Sequence, residues 1–294
     1  MGAIGYYLFY AVNWTITLLP MRVLYIFSDF VFLIVYYFPG YRKKVVRTNL
    51  KNSFPEKTEK EIRLIERKFY HHFADLLIEV LAMTHLYKKH LVRRSTVSNK
   101  EILERLYDEK RDVAAIVAHY NNWEWSNYIP TIFRHKMVSI YKPLENKHFD
   151  GFINDIRLRY GVILSPMSNV IRDIINLRKN NTNFVACFIS DQTPAITDIK
   201  YWTKFLNQDT PVFTGAEKIA SKYDMAVVFF NIQKIKRGHY NLNIELLFEH
   251  SAGLPEHLIT DTHVKHLENI IREQPEYWLW THRRWKRKRP VENA

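Results

Sequence analysis

The sequence predicts an α/β fold, a mixed, largely parallel central sheet flanked by helices, preceded by an N-terminal hydrophobic helical segment that anchors the chain to a membrane. Three observations predict it. Past Asn99, short apolar runs alternate with helix-patterned ones, and strands separated by helices assemble into largely parallel sheets. Two stretches almost free of charge fill the first forty residues. The composition, 47% hydrophobic and 25% charged over 294 residues, belongs to a folded chain long enough to bury a core without cross-links. The division that follows is an anchoring segment over residues 1–40 and a globular domain over residues 41–294.

Taken in order, Ala3 to Leu19 carries no charged side chain. As a helix it is roughly 26 Å long, slightly short of a hydrocarbon core of ~30 Å, so it either spans a thinned bilayer or lies shallowly embedded. Val23 to Phe38 carries only Asp29. An aspartate at a bilayer centre costs about 2.5 to 3.5 kcal/mol, so this run reads as packed or interfacial. No Lys or Arg precedes the first run, whereas Arg22, Arg42, Lys43, Lys44 and Arg47 follow it. That order argues against a cleaved signal peptide and keeps the bulk of the chain cytoplasmic. Tyr6, Tyr7, Trp14, Tyr36 and Tyr37 suit the membrane interface.

From Glu56 to Leu86 apolar residues recur at intervals of three and four, the signature of an amphipathic helix. His71 and His72 ride on it without an HExxH pattern, and read as structural. Beyond it, Val113–Ala118, Met137–Tyr141, Phe184–Ile189, Met225–Ile232 and Leu242–Phe248 read as strands. Ile153–Arg159, Val170–Arg178, Gly215–Lys222 and Val264–Glu273 read as helices. Eight glycines leave neither a GxGxxG nor a GxxxxGK[ST] cradle, and one cysteine excludes disulfides and cysteine-rich zinc sites. No cofactor and no metal is therefore expected. Forty-three Lys and Arg against thirty Asp and Glu give a net charge of +13, which favours polyanionic partners. A nucleic-acid role is disfavoured, because the aromatics sit in apolar runs rather than interleaved with a basic helix.

The sharpest local signal is His119-Tyr-Asn-Asn-Trp-Glu124, directly after the strand-like Asp112-Val-Ala-Ala-Ile-Val-Ala118. Loops at the carboxyl ends of sheet strands are where α/β folds gather reactive groups. His119 is a candidate general base there, and Glu124, brought back by a turn, a candidate to orient its imidazole and stabilise the protonated form. Such a pair activates a substrate hydroxyl directly. The GxSxG elbow is absent and Cys187 lies mid-strand, where an inert thiol is expected.

H-x4-E alone is a common pattern. Together with Tyr141-Lys-Pro143, Arg157-Leu-Arg-Tyr-Gly161, Ser190-Asp-Gln-Thr193 and Glu276-Tyr-Trp-Leu-Trp-Thr-His-Arg-Arg-Trp-Lys286, it resembles the bacterial late lipid A acyltransferases, the lauroyl and myristoyl transferase family. The resemblance includes Arg47-Thr-Asn-Leu50 and Phe54-Pro-Glu56 and runs over nearly the whole chain. It implies a glycerolphosphate-acyltransferase-like fold and an O-acyltransferase that moves a fatty acyl group, usually from acyl carrier protein, onto a hydroxyl of a lipid A precursor at the cytoplasmic face of the inner membrane. It carries the catalytic dyad onto His119 and Glu124, the arginine after the Tyr-basic-Pro motif onto Arg157, and the Asp-Gln aspartate onto Asp191.

The physics of the residues adds to this. An acyl-transfer oxyanion needs fixed donors, supplied either by an arginine or by backbone N–H groups following His119. Arg157, Arg159 and Lys142 offer charge-assisted contacts to acceptor phosphates, and Asp191 either fixes one of these arginines or contacts the acceptor. Six basic residues in positions 283–289, interleaved with Trp285, suit anionic headgroups of the inner membrane, where each gains about 1 kcal/mol. Tyr120-Asn-Asn-Trp123 departs from the Phe-Gly-Asn-Trp of many relatives, and Lys142 from their arginine. These departures leave open another polar lipid or glycolipid acceptor. A non-catalytic basic membrane-surface scaffold is the alternative that makes the order of motifs a coincidence.

Overall fold

The computed structural model describes residues 2–38 and 40–290. In chain order its elements are α1 (Ala3–Ile16), α2 (Met21–Tyr37), α3 (Lys43–Ser53), α4 (Glu59–Ala82), α5 (Lys88–Val92), β1 (Ser95–Ser98), α6 (Glu101–Asp108), β2 (Val113–Val117), a 3-10 helix (Trp123–Thr131), β3 (Lys136–Tyr141), α7 (Lys147–Leu158), β4 (Ile163–Pro166), α8 (Val170–Lys179), β5 (Phe184–Ile189), β6 (Tyr201–Phe205), β7 (Gln208–Val212), α9 (Gly215–Tyr223), β8 (Ala226–Lys236), β9 (His239–Phe248) and α10 (Leu258–Glu273). Seven strands form one sheet in the order β1-β9-β8-β2-β5-β3-β4, and β6 and β7 form a separate hairpin. Every pairing in the large sheet is parallel except β8 with β9. The expected mixed, largely parallel sheet is present.

Strand β2 shows why. All five of its side chains are apolar and buried, as a parallel strand covered on both faces requires. Alternation sends Ala114 and Ile116 to one core with Phe69, Ile219 and Leu267, and Val113, Ala115 and Val117 to the other with Leu103, Trp125 and Phe152. The adjacent β5 divides likewise, Phe184 and Ala186 to the first core, Val185 and Cys187 to the second. Helices therefore sandwich the sheet.

The N-terminal segment departs from expectation in one respect. Among the described residues no helix is long and apolar enough to cross a membrane. α1 stops at Ile16, about 21 Å of helix, because the chain turns through Leu18 and Leu19 to Pro20, which caps α2. Both helices are docked on the domain. Asn13 donates to Thr84 Oγ1 at 2.9 Å, and Phe9 packs its ring on Phe149 and Phe152 of α7. α2 buries Met21, Leu24, Ser28 and Phe32. Its lone acid, Asp29, is neutralised by Arg237 at 2.6 Å and faces His71 at 3.0 Å. Ile4, Leu8, Ile26, Phe30 and Phe38 still point outward and are exposed.

α4 carries the long amphipathic pattern between a Thr58–Glu61 capping box and Ala82. It crosses from the first core, at Ile62 and Phe69, to the second, at Ala82, over the carboxyl edge of the sheet. On the way Asp75 meets Arg237 Nη2 at 2.6 Å and Lys234 at 3.6 Å. Arg237 and Gly238 form the β8–β9 turn. Gly238 has φ +69, and a Cβ there would stand 2.0 Å from the Tyr25 hydroxyl, so only glycine lets this turn pass beneath α2.

Candidate active site

β2 and β5 are parallel neighbours in register, Val117 opposite Ile189. Residues two beyond those partners therefore meet at the carboxyl edge, the position where open α/β sheets bind ligands. They are His119 and Asp191. The Asp191 carboxylate accepts the His119 backbone N–H at 3.0 Å and lies 2.7 Å from His119 Nδ1 through Oδ1. Trp278 Nε1 donates to its Oδ2 at 2.8 Å. Burial pushes the Asp191 carboxyl up, but His119 and these donors hold it below the usual range.

With Nδ1 committed to Asp191, the imidazole presents Nε2 as an acceptor. The Gln192 side-chain amide stands 3.1 Å from Nε2, and the edge of Trp123 closes the ring's other side at 4.8 Å between centroids. The imidazole keeps 18% of its surface exposed, against 2% for Asp191. A base open to solvent on a buried acid is the arrangement proton abstraction requires.

The loop after His119 is pinned from three sides. Asn121, at φ +53, donates its amide to the Ile232 carbonyl at 2.7 Å, and its N–H to Tyr277 at 3.0 Å. Leu279 N–H closes on the His119 carbonyl at 3.1 Å. Asn122 caps the 3-10 helix by accepting the Trp125 N–H, and donates to Glu79 of α4 at 2.7 Å.

That helix turns Glu124 away from the imidazole. Its carboxylate takes Arg157 of α7 in a fork, Nε to Oε2 at 3.0 Å and Nη2 to Oε1 at 2.5 Å, and also accepts from Asn127 at 3.1 Å. The sequence expected Glu124 to hold His119. The carboxylate found there is Asp191, because strand adjacency, not local spacing, decides which acid reaches Nδ1. Glu124 raises the Arg157 guanidinium pKa although burial opposes it. Glu124, Arg157, Trp123 and Tyr141 line a cavity of about 40 Å³ beside the site.

The other expected contacts fall as follows. Arg159 gives its guanidinium to the carbonyls of Thr84 and Met83 at 2.8 and 3.0 Å, closing the end of α4. Lys142 is exposed just past β3. Cys187 is buried and its thiol is pushed up to about 12 by burial. Of the oxyanion donors expected, Arg157 is engaged by Glu124 and the Asn121 N–H by Tyr277. The sequence reading missed the roles of Trp278 and Gln192. Both lie in motifs it quoted, and the signal was there: each follows or faces an apolar strand end. Among the described residues no group of three or more His, Cys, Asp or Glu is arranged to hold a metal ion.

Comparison with known proteins agrees in one direction. The family model described as bacterial lipid A biosynthesis acyltransferase matches residues 2–287. A lipid A biosynthesis acyltransferase of Haemophilus influenzae is 23% identical over 237 residues, covering 80% of this chain and 72% of that protein.

Proposed function

Because the chain belongs to the bacterial lipid A biosynthesis acyltransferase family, and is an acyltransferase acting on lipid A, we propose that it transfers a fatty acyl chain from the thioester of acyl carrier protein to a hydroxyl of a lipid A precursor, with His119 as general base. The carrying observation is the 2.7 Å contact of His119 Nδ1 with buried Asp191, which leaves Nε2 facing outward. In this reading Nε2 takes the proton of the acceptor hydroxyl as its oxygen attacks the thioester carbonyl. The tetrahedral oxyanion then collapses, the carbon–sulfur bond breaks, and the imidazolium returns the proton to the departing thiolate. No acyl-enzyme forms.

Asp191 fixes the tautomer and offsets the positive charge that develops on the ring. The Gln192 amide, 3.1 Å from Nε2 and 3.3 Å from Nδ1, lies over the ring, and the in-plane lone pair of Nε2 is left for the acceptor hydroxyl. In this reading the expected His119–Glu124 dyad acts at one remove: Glu124 holds Arg157, and through it the helix that carries Trp123 against the imidazole. Arg157 and Lys142 lie toward β3, where phosphates of the acceptor would approach.

The outward apolar residues of α1 and α2 support seating of residues 1–40 in the surface of the inner membrane, cytoplasmic side, with residues 41–294 as the acyltransferase domain. The test is an assay in detergent with labelled acyl carrier protein and a lipid A precursor. His119→Ala is expected to abolish product while the protein stays folded, with a lowered melting temperature because buried Asp191 loses its ring partner. Product from His119→Ala at the wild-type rate removes the reading.

A further inference from the structure

Farther along the same carboxyl edge, β8 separates the strand that carries His119 from a cleft of about 440 Å³ that reaches the start of β9. It opens where the α1–α2 turn meets α5 and the start of β9. His85, His90, Arg93, Arg94 and His239 line it, and no acidic side chain does. Its floor is apolar, through Met21, Leu24 and Leu86, and runs out over Leu18, which is 64% exposed at the turn.

The positive charge in the cleft is not neutralised from within. The Arg93 side chain is exposed and makes no hydrogen bond or ion pair among the described residues, and the Arg94 guanidinium reaches only the Gly238 carbonyl at 3.4 Å. Burial lowers the pKa of His90, and Lys89, Arg93 and Arg94 lower it further. His239 is lowered by burial, Lys236 and Arg94, and His85 by burial and Arg159. These shifts favour the neutral imidazoles, so the charge in the cleft is that of Arg93 and Arg94, and it is relieved by an anion with several acceptor oxygens, which an arginine fork matches.

We propose that this cleft binds the phosphate headgroup of an anionic glycerophospholipid, whose acyl chains lie along Met21, Leu24 and Leu18 and continue over the outer faces of α1 and α2. The proposal rests on the seating of α1 and α2 at a bilayer. An acidic protein such as a carrier domain would satisfy the rim and leave the greasy floor unfilled. An amphiphile fills both. The site is separate from the catalytic centre, with which it shares no lining residue.

The experiment is flotation of the full chain, in a His119→Ala background so that turnover plays no part, with vesicles of phosphatidylcholine alone or mixed with phosphatidylglycerol. The Arg93→Glu/Arg94→Glu variant is expected to keep its binding to phosphatidylcholine and to lose the gain from phosphatidylglycerol by more than about tenfold. Arg287→Glu/Lys288→Glu, which reverses as much charge in the tail, is expected to lose less. Equal loss in the two variants would show general surface attraction and overturn a specific cleft. So would full competition by inorganic phosphate, which would make the ligand a free anion. Loss of acyl carrier protein binding with vesicle binding intact would assign the cleft to the carrier instead. Native mass spectra provide the second readout: a retained phosphatidylglycerol adduct on the parent and its absence on the Arg93→Glu/Arg94→Glu variant support the site, and an adduct on both overturns it.

Discussion

Glu124 grips Arg157 through both carboxylate oxygens, at 3.0 and 2.5 Å, with 10% and 15% of the two side chains exposed. Removing one partner of a buried pair leaves an uncompensated charge and costs about 3 to 5 kcal/mol. Arg157→Met and Glu124→Gln are each expected to lower stability by that order, measured by denaturant unfolding. Arg157→Lys loses the fork and is expected to fall between wild type and Arg157→Met. The double variant Glu124→Gln/Arg157→Met removes both charges, so its cost should be smaller than the sum of the singles.

Glu79 is the second fixed point of the loop that begins at His119. Its carboxylate accepts from Tyr25, Tyr240 and Asn122, each at 2.7 Å, and burial raises its pKa. Glu79→Ala strands these buried donors at about 1 to 3 kcal/mol each. Asn122→Ala loses the cap of the 3-10 helix, worth about 1 kcal/mol, and one donor to the buried Glu79 carboxylate, about 1 to 3 kcal/mol. It is expected to slow acyl transfer more than that stability loss implies, because the loop it releases begins at His119. Parallel unfolding curves and rate assays check both.

Buried His263 and partly buried His282 contribute to the acid limit. Burial lowers His263 and His282 to about 4, below the 6.5 of an unfolded histidine. The unfolded chain therefore binds more protons between these values, and stability must rise with pH through that window. Acidification from pH 6.5 to 4 is expected to cost about 3 kcal/mol per histidine, read as a falling melting temperature. His263→Phe should flatten the slope. An unchanged slope in that variant would contradict it.

Cys187 tests the absence of an acyl-enzyme. Buried, with its thiol pushed up to about 12, it should react with a thiol reagent only after unfolding. Cys187→Ala is expected to retain the wild-type rate of acyl transfer and to lose about 1 kcal/mol of stability from the small cavity. A rate lowered with unchanged stability would contradict this.

The central strands were legible because they are apolar on both faces: β5 spans Phe184–Ile189 in structure as in pattern. Edges were not. β1 is Ser-Thr-Val-Ser and β4 is Ile-Leu-Ser-Pro, four residues each, too short and too mixed to show a period. The β6–β7 hairpin turns on Leu206 and Asn207, at φ +49 and +65, without the Asn-Gly or Asp-Gly that announces such a turn. The site residues His119, Glu124, Arg157 and Asp191 could be singled out by motif. Which carboxylate meets the imidazole could not, since Asp191 lies 72 positions from His119 and arrives only through the order of strands. Likewise Asp29, an oddity in an apolar run, is explained by Arg237 on a turn 208 positions away.

In the proposed mechanism Asp191 orients His119, and the most direct test is the turnover number of Asp191→Asn at saturating acceptor. An amide cannot fix the same tautomer, and the equivalent loss in a serine-protease triad is about 10⁴-fold. The expected result is a fall of at least about 10³-fold in kcat with little change in KM and a folded protein. A turnover within about tenfold of wild type would contradict it.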